Sequence, residues 1–232
     1  NGVNWEGPLE TPIKGIVPDN LCELPSGRWL VAAHSKNPEH GLLEQKLWYT
    51  DDQGEDWIGP VMVGSQEGLH LCEASILVLP CETLVAYMRE NSSEGWDGYK
   101  SISKDQGETW EGPYRVPLPG CHRPVAGLLQ SGNILIAHRF MQGGKGWLGY
   151  WTQNLFAALT DVASAKATKR EEQWSRILPI DFDRSPVSDT GYADWVQFSD
   201  GEIYMVNYIV DDAPKAQIRG YSMREDDFVL QV

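Results

Sequence analysis

No stretch of the chain approaches the roughly 18 uninterrupted apolar residues that a membrane-crossing helix needs, so no span is expected. Basic residues are few. Lys and Arg total 19 against 33 Asp and Glu, a formal charge of −14. A surface of that sign repels phosphate backbones and argues against nucleic acid as a partner. Cysteine is also scarce. Cys22, Cys72, Cys81 and Cys121 are separated by 50, 9 and 40 residues and contain no C-x-x-C pair. That spacing gives neither a disulfide framework nor a zinc site, and no metal or other cofactor is expected. It leaves the redox compartment open. No signal peptide is recognisable, but the chain opens inside a repeat, so that absence carries no weight.

What is present is ordinary in amount and unusual in arrangement. The 232 residues are 41% hydrophobic and 22% charged, which fits one large all-β domain or two small ones. Ten Trp residues serve either as core wedges or as faces for stacking on sugar rings. The arrangement is a repeat. Thr50-Asp51-Asp52-Gln53-Gly54-Glu55-Asp56-Trp57 runs into Ile58-Gly59-Pro60, and Ser103-Lys104-Asp105-Gln106-Gly107-Glu108-Thr109-Trp110 runs into Glu111-Gly112-Pro113. The opening Trp5-Glu6-Gly7-Pro8 is the tail of the same unit. Gly7, Gly59 and Gly112 recur at intervals of 52 and 53 residues. In each unit the Asp bonds amides of its own turn and the Gly supplies a positive φ.

A hairpin recurs beside it, with turns at Gly27, Glu82, Gly132 and Gly201. Glu82 in place of glycine predicts a different turn type there. A period near 50 with about four strands per unit reads as a β-propeller of four-stranded antiparallel blades. Four blades are expected, at about 18–64, 70–118, 122–184 and 190–232. The third lacks the Asp turn and carries a polar insertion, Asp161 to Glu172, as a short helix or loop. Residues 4–10 read as a lone outer strand, so the chain is expected to be the C-terminal part of a longer propeller, a single domain over 1–232. The exposed edges of an incomplete ring invite pairing, so an oligomer is among the expectations.

Aligning the hairpins on their turns exposes two rings. Nine residues before the turn are Pro18, Glu73, Arg123 and Tyr192; seven after it are His34, Arg89, Arg139 and Tyr208. The first set opens the innermost strands and the second closes the strands beside them, so both emerge at the end opposite the turns. Singly, each is an ordinary rim or packing residue. Together they gather a carboxylate, guanidiniums and a phenol in one funnel.

These residues resemble the sialidase superfamily, Asp-box glycoside hydrolases built as six-bladed propellers. The stretch Glu73-Ala74-Ser75-Ile76 through Tyr87-Met88-Arg89 is similar to the family pattern in which a catalytic Glu opens a strand and a substrate-binding Arg follows 16 residues later. Gly191-Tyr192-Ala193-Asp194-Trp195 ahead of Asp200-Gly201 is similar to the segment that carries the nucleophilic Tyr. The resemblance implies a retaining exo-glycosidase for a terminal acidic sugar on a glycan or glycoconjugate. Glu73 would be the base, Tyr192 the nucleophile and Arg89 the carboxylate clamp. The family's first arginine and its acid/base Asp would precede residue 1. Its third arginine, expected near Trp147 to Trp151, is missing, and Arg123 and Arg139 stand in for it. Asp19, His34 and Tyr208 complete the expected substrate contacts. A secreted or periplasmic setting is favoured over a cytoplasmic one. Two alternatives remain: a non-catalytic propeller that binds glycan or protein, and a glycosidase of the same fold for another sugar.

Overall fold

Repetition in the sequence becomes repetition in the backbone. The computed structural model describes all residues except 1, 6, 8, 9, 93, 95, 96, 143–151 and 230–232. Blade I contains β1 (Cys22–Glu23), β2 (Trp29–Lys36), β3 (Leu43–Thr50) and β4 (Ile58–Gly64). Blade II contains β5 (Leu71–Val78), β6 (Leu84–Glu90), β7 (Asp97–Ser103) and β8 (Glu111–Pro119). Blade III contains β9 (Cys121–Leu128), β10 (Ile134–Gln142), β11 (Thr152–Thr160) and β12 (Arg176–Phe182). Blade IV contains β13 (Thr190–Gln197), β14 (Ile203–Ile209) and β15 (Gln217–Met223). Within each sheet, strands pair in sequence order. The fold is an all-β propeller of antiparallel blades, and no described helix is long and apolar enough to cross a membrane.

Three details differ from the sequence reading. Of residues 4–10, those described are not in a strand, because a lone strand has no paired edge to satisfy its backbone. The third strand of blade III is Thr152–Thr160; the stretch expected to form it, 147–151, lies outside the described residues. Blade IV has three strands among the described residues and ends in a 3-10 turn, Glu225–Phe228.

The four hairpin turns are alike. Gly27, Gly132 and Gly201 have φ of 89°, 86° and 87°, and Glu82 has 60°. Each donates its N–H to the carbonyl three residues earlier; for Glu82 this is Leu79 O at 2.9 Å. The expected change of turn type therefore does not occur, and Glu82 adopts the left-handed conformation that its neighbours reach through glycine. Relieving that conformation is worth about 1 kcal/mol. Glu82→Gly is expected to raise the melting temperature by a few degrees, and a calorimetric fall would contradict this.

The Asp turns join β3 to β4 and β7 to β8. Asp52 Oδ1 accepts from Thr50 Oγ1 (2.6 Å) and from Asp56 N–H (2.9 Å). Asp105 Oδ1 accepts from Ser103 Oγ (2.8 Å) and Thr109 N–H (2.9 Å). The Trp110 indole closes its turn on Gly107 O at 3.2 Å. Blade III keeps a stretched version. Asp161 caps the short helix α1 (Val162–Lys166) through Ser164 N–H at 2.7 Å and accepts from Trp174 Nε1 at 3.2 Å. Asp105→Ala removes the centre of one such turn and should cost about 1–2 kcal/mol, as losing a helix cap does. Turnover per folded molecule should stay unchanged, since this turn joins the outer strands at the end away from the two rings; a denaturation curve paired with active-site-normalised kinetics checks both.

Three apolar cores lie at the three blade junctions. Leu30, Leu47, Leu71 and Leu84 fill the first; Leu77, Val85, Ile134 and Ile136 the second; Leu135, Leu155, Ile203 and Met205 the third. This explains the burial patterns. A strand between two blades is covered on both faces, so β6 is buried at six of its seven residues. On β14 burial alternates, with Ile203 and Met205 inside and Tyr204 and Val206 exposed.

Candidate active site

The three inner strands β5, β9 and β13 break at the same place. Cys72 pairs with Arg89 but Ser75 with Tyr87, so Glu73 and Ala74 together face Met88. The same slip places Arg123 and Pro124 opposite His138, and Tyr192 and Ala193 opposite Asn207. Each is a β-bulge, which bends a strand and re-aims a side chain. The first residue of each bulge is left-handed: φ is 48° at Glu73, 49° at Arg123 and 53° at Tyr192. That conformation costs about 1–2 kcal/mol for a residue with a Cβ. Its recurrence in three blades, at three chemically active side chains, marks a constructed ring. Blade I has no such bulge, because its inner strand is only Cys22–Glu23 with a separate bridge from Ile16 to His34.

The bulges aim two of these side chains at each other. Tyr192 Oη donates to Glu73 Oε1 at 2.8 Å. Arg89 Nη1 donates to Glu73 Oε2 at 2.9 Å, and its Nη2 to Asn91 Oδ1. Burial works against the Glu73 charge, but Arg89's charge and hydrogen bond, helped by the Tyr192 hydroxyl, hold its carboxyl below the usual range. Burial and the bond to Glu73 hold the Tyr192 phenol above its own, while Arg139 and Arg89 pull it down. At neutral pH the proton therefore stays on the phenol, against a charged acceptor. Glu73 is buried, whereas Tyr192 is 50% exposed and open to a ligand.

Arg139 and Arg123 flank the same ring, with guanidinium carbons 5.2 and 5.9 Å from the Tyr192 ring centroid. Arg139 donates Nη2 to Tyr208 Oη at 2.8 Å and Nε to Thr190 O. Arg123 donates Nη1 to Pro124 O at 3.2 Å, and its buried Nε has no hydrogen-bond partner among the described residues. His34 stands behind Glu73 and accepts its N–H on Nδ1 at 3.3 Å; burial pushes the imidazole's pKa down. Asp19 accepts from Ile76 N–H at 3.3 Å and lines a cavity of about 310 Å³ in the channel. Ser75, Val125 and Asp194, each the residue directly after a bulge, share that wall. Glu73, Tyr192, Arg89, Arg139, Arg123, His34 and Tyr208 are thus linked by contacts, while Asp19 stands apart along the channel.

Several members carry no sequence signal. Asn91 orients Arg89, and Asp189 accepts from Tyr208 Oη at 2.8 Å. His122 is buried, bonds the backbone of Glu90, and is pushed to about 2 by burial and the nearby Arg89 and Arg139, so it stays neutral. Adjacency to Arg123 was the only pointer to it. Among the described residues, no group of three or more His, Cys, Asp and Glu is placed to hold a metal ion.

Solved structures share this architecture. A protein of unknown function from Dyadobacter fermentans superposes with a TM-score of 0.75 at 20% identity, over 96% of this chain and 61% of that one. The leech intramolecular trans-sialidase, in complex with 2,7-anhydro-Neu5Ac, gives 0.59 at 17%, over 91% and 32%. The α-L-arabinofuranosidase of Fusarium graminearum gives 0.62 at 14%, over 87% and 60%. At such identities the likeness establishes the fold, which is that of the sialidase-like propellers, and the chain spans less than two thirds of each. No curated protein matches the sequence. The BNR repeat-like domain matches residues 1–205, and the protein belongs to that family.

Proposed function

We propose that the protein is a retaining exo-glycosidase of sialidase type, acting on a terminal acidic sugar. The observation that carries this reading is the 2.8 Å bond between Tyr192 Oη and Glu73 Oε1, made across two blade junctions by side chains on strained bulges. An acidic sugar with a carboxylate on its anomeric carbon would repel a carboxylate nucleophile, and a neutral phenol avoids that repulsion. As Tyr192 Oη attacks the anomeric carbon, Glu73 takes its proton and the glycosidic C–O bond breaks, the aglycone oxygen taking a proton from solvent to leave as an alcohol. Water then attacks the anomeric carbon and gives a proton to solvent, while the C–O bond to Tyr192 breaks and Glu73 returns its proton to the phenolate. The pair is poised for transfer during attack, since Glu73 is charged and Tyr192 protonated beforehand. Arg123, with its least committed guanidinium, together with Arg89 and Arg139, supplies the positive wall for the sugar's carboxylate. Asp19 remains for contact further along the substrate.

A second reading, a glycosidase of this fold for another sugar, is favoured by one observation: Arg89 and Arg139 each already direct two of their three guanidinium nitrogens at protein oxygens. The arabinofuranosidase likeness points the same way. The experiment is hydrolysis of a panel of aryl glycosides by the protein. Turnover of the aryl sialoside above the neutral glycosides supports the first reading, and turnover of a neutral furanoside alone supports the second. No turnover of any would leave a binding propeller.

A further inference from the structure

We propose that Tyr208 is a positioning residue for the Tyr192–Glu73 pair: together with Asp189 it clamps the Arg139 guanidinium against the face of the Tyr192 ring, fixing the phenol's orientation and placing a cation where its negative charge develops. The inference rests on the reading of Tyr192 as nucleophile.

Donor arithmetic makes Tyr208 hard to replace. Arg139 can only donate and an ionised Asp189 can only accept. A hydroxyl can do both, and Tyr208 Oη accepts from Arg139 Nη2 at 2.8 Å while donating to Asp189 Oδ1 at 2.8 Å. The other side of the guanidinium is fastened by Nε to Thr190 O. Thr190 is itself tied in: its hydroxyl donates to Tyr208 O at 2.8 Å and accepts from Asn207 Nδ2 at 2.7 Å. Arg139 therefore crosses from blade III into blade IV and is held there at two points.

The backbone makes room for it. Gly191 pairs directly with Tyr208 and precedes Tyr192. A Cβ at Gly191 would lie 2.4 Å from Arg139 Nε and 2.8 Å from Nη2, at a φ of 138°. Only glycine lets the guanidinium pass there. The result is a near-parallel stack of Tyr208 on Tyr192, with centroids 6.2 Å apart and planes at 17°, and Arg139 5.2 Å from the Tyr192 centroid. That distance lies within cation–π range. The attraction grows as the phenol becomes a phenolate, so a held cation favours the attacking form over the resting one.

The groups facing Tyr192 are Glu73 from β5, Arg89 from β6, Arg123 from β9, Arg139 from β10 and Tyr208 from β14, with Asp189 behind Tyr208. Glu73 and burial raise the phenol's pKa, and Arg139 leads the groups that lower it. Loosening Arg139 should let it rise.

The test is to titrate Tyr192 in the free protein by NMR of ring-labelled tyrosine, assigning its signal with Tyr192→Phe. Wild type is compared with Tyr208→Phe and Asp189→Asn, and kcat and KM are measured alongside as a function of pH. Tyr208→Phe keeps the ring stack and so should fold. Both variants are expected to raise the Tyr192 midpoint, change its ring signal and lower kcat by up to about 100-fold, with a rise in KM alongside because Arg139 also belongs to the carboxylate wall. Folded variants in which the Tyr192 signal and midpoint match wild type would overturn the proposal. The titration needs no substrate, so a shifted midpoint supports the clamp even if no glycoside is turned over, an outcome that would sink the glycosidase reading alone.

Discussion

Tyr192→Phe is expected to fold and melt like the wild type and to lose three or more orders of magnitude in kcat. The substitution removes one oxygen and little volume, and half of the side chain faces solvent. What it deletes is the phenolic oxygen that Glu73 Oε1 holds at 2.8 Å. Losing a nucleophile costs on the order of 10⁶ in systems where it has been measured, and what remains comes from binding. Glu73→Gln should produce a comparable loss by another route. It keeps the pocket's shape but leaves the phenol, with an ordinary pKa of about 10, without a base. It also leaves Arg89 facing a neutral amide, so this variant should melt lower while Tyr192→Phe does not. Kinetics with thermal melts separates the two. Retained turnover in folded Tyr192→Phe would remove Tyr192 from the chemistry.

Lys100→Met is expected to stabilise the protein at neutral pH by roughly 1–4 kcal/mol, as replacing a buried charge by a well-fitting apolar group can. Lys100 is 1% exposed, in a crevice with Tyr87, Leu118, Ile136 and Trp174. Its ammonium donates to Ser164 O at 2.8 Å, and that carbonyl also accepts from Ala167 N–H at 3.2 Å. Burial pushes the ammonium from an ordinary 10.5 down to about 7. Between those values the unfolded chain binds a proton that the folded chain has released, so the wild type gains stability as pH rises through the window. Below pH 7 both states are charged and the full burial cost is present. The variant's advantage should therefore be largest at pH 6–7 and shrink towards pH 9. Melting curves across that range check it; a variant that is less stable at pH 6 than wild type would contradict it.

The repeats were legible because their determinants are local. Asp52 and Asp105 bond amides and hydroxyls within four residues, so the motif is the structure. The blade III turn was hidden because α1 and a 3-10 turn (Arg170–Glu172) separate Asp161 from Trp174, and only folding brings them to 3.2 Å. Spacing from the hairpin turns placed Glu73, Arg123 and Tyr192 in one register, since an inner strand rises by a fixed amount per residue. The bulges were invisible, because no glycine announces a left-handed residue at any of the three positions; packing enforces it. What each arginine grips was equally hidden. Arg139 reaches Thr190 and Tyr208 in the next blade, and Asp189 lies in a loop whose sequence resembles any acidic turn.

The most direct measurement of the central claim is to incubate the protein with a fluorinated sialic acid that stalls the second step, digest it and weigh its peptides. A single glycosyl adduct on the peptide carrying Tyr192, absent in Tyr192→Phe and slow to form in Glu73→Gln, is the predicted result. Hydrolysis of the aryl sialoside with no adduct on Tyr192, or an adduct on any other residue, would contradict it.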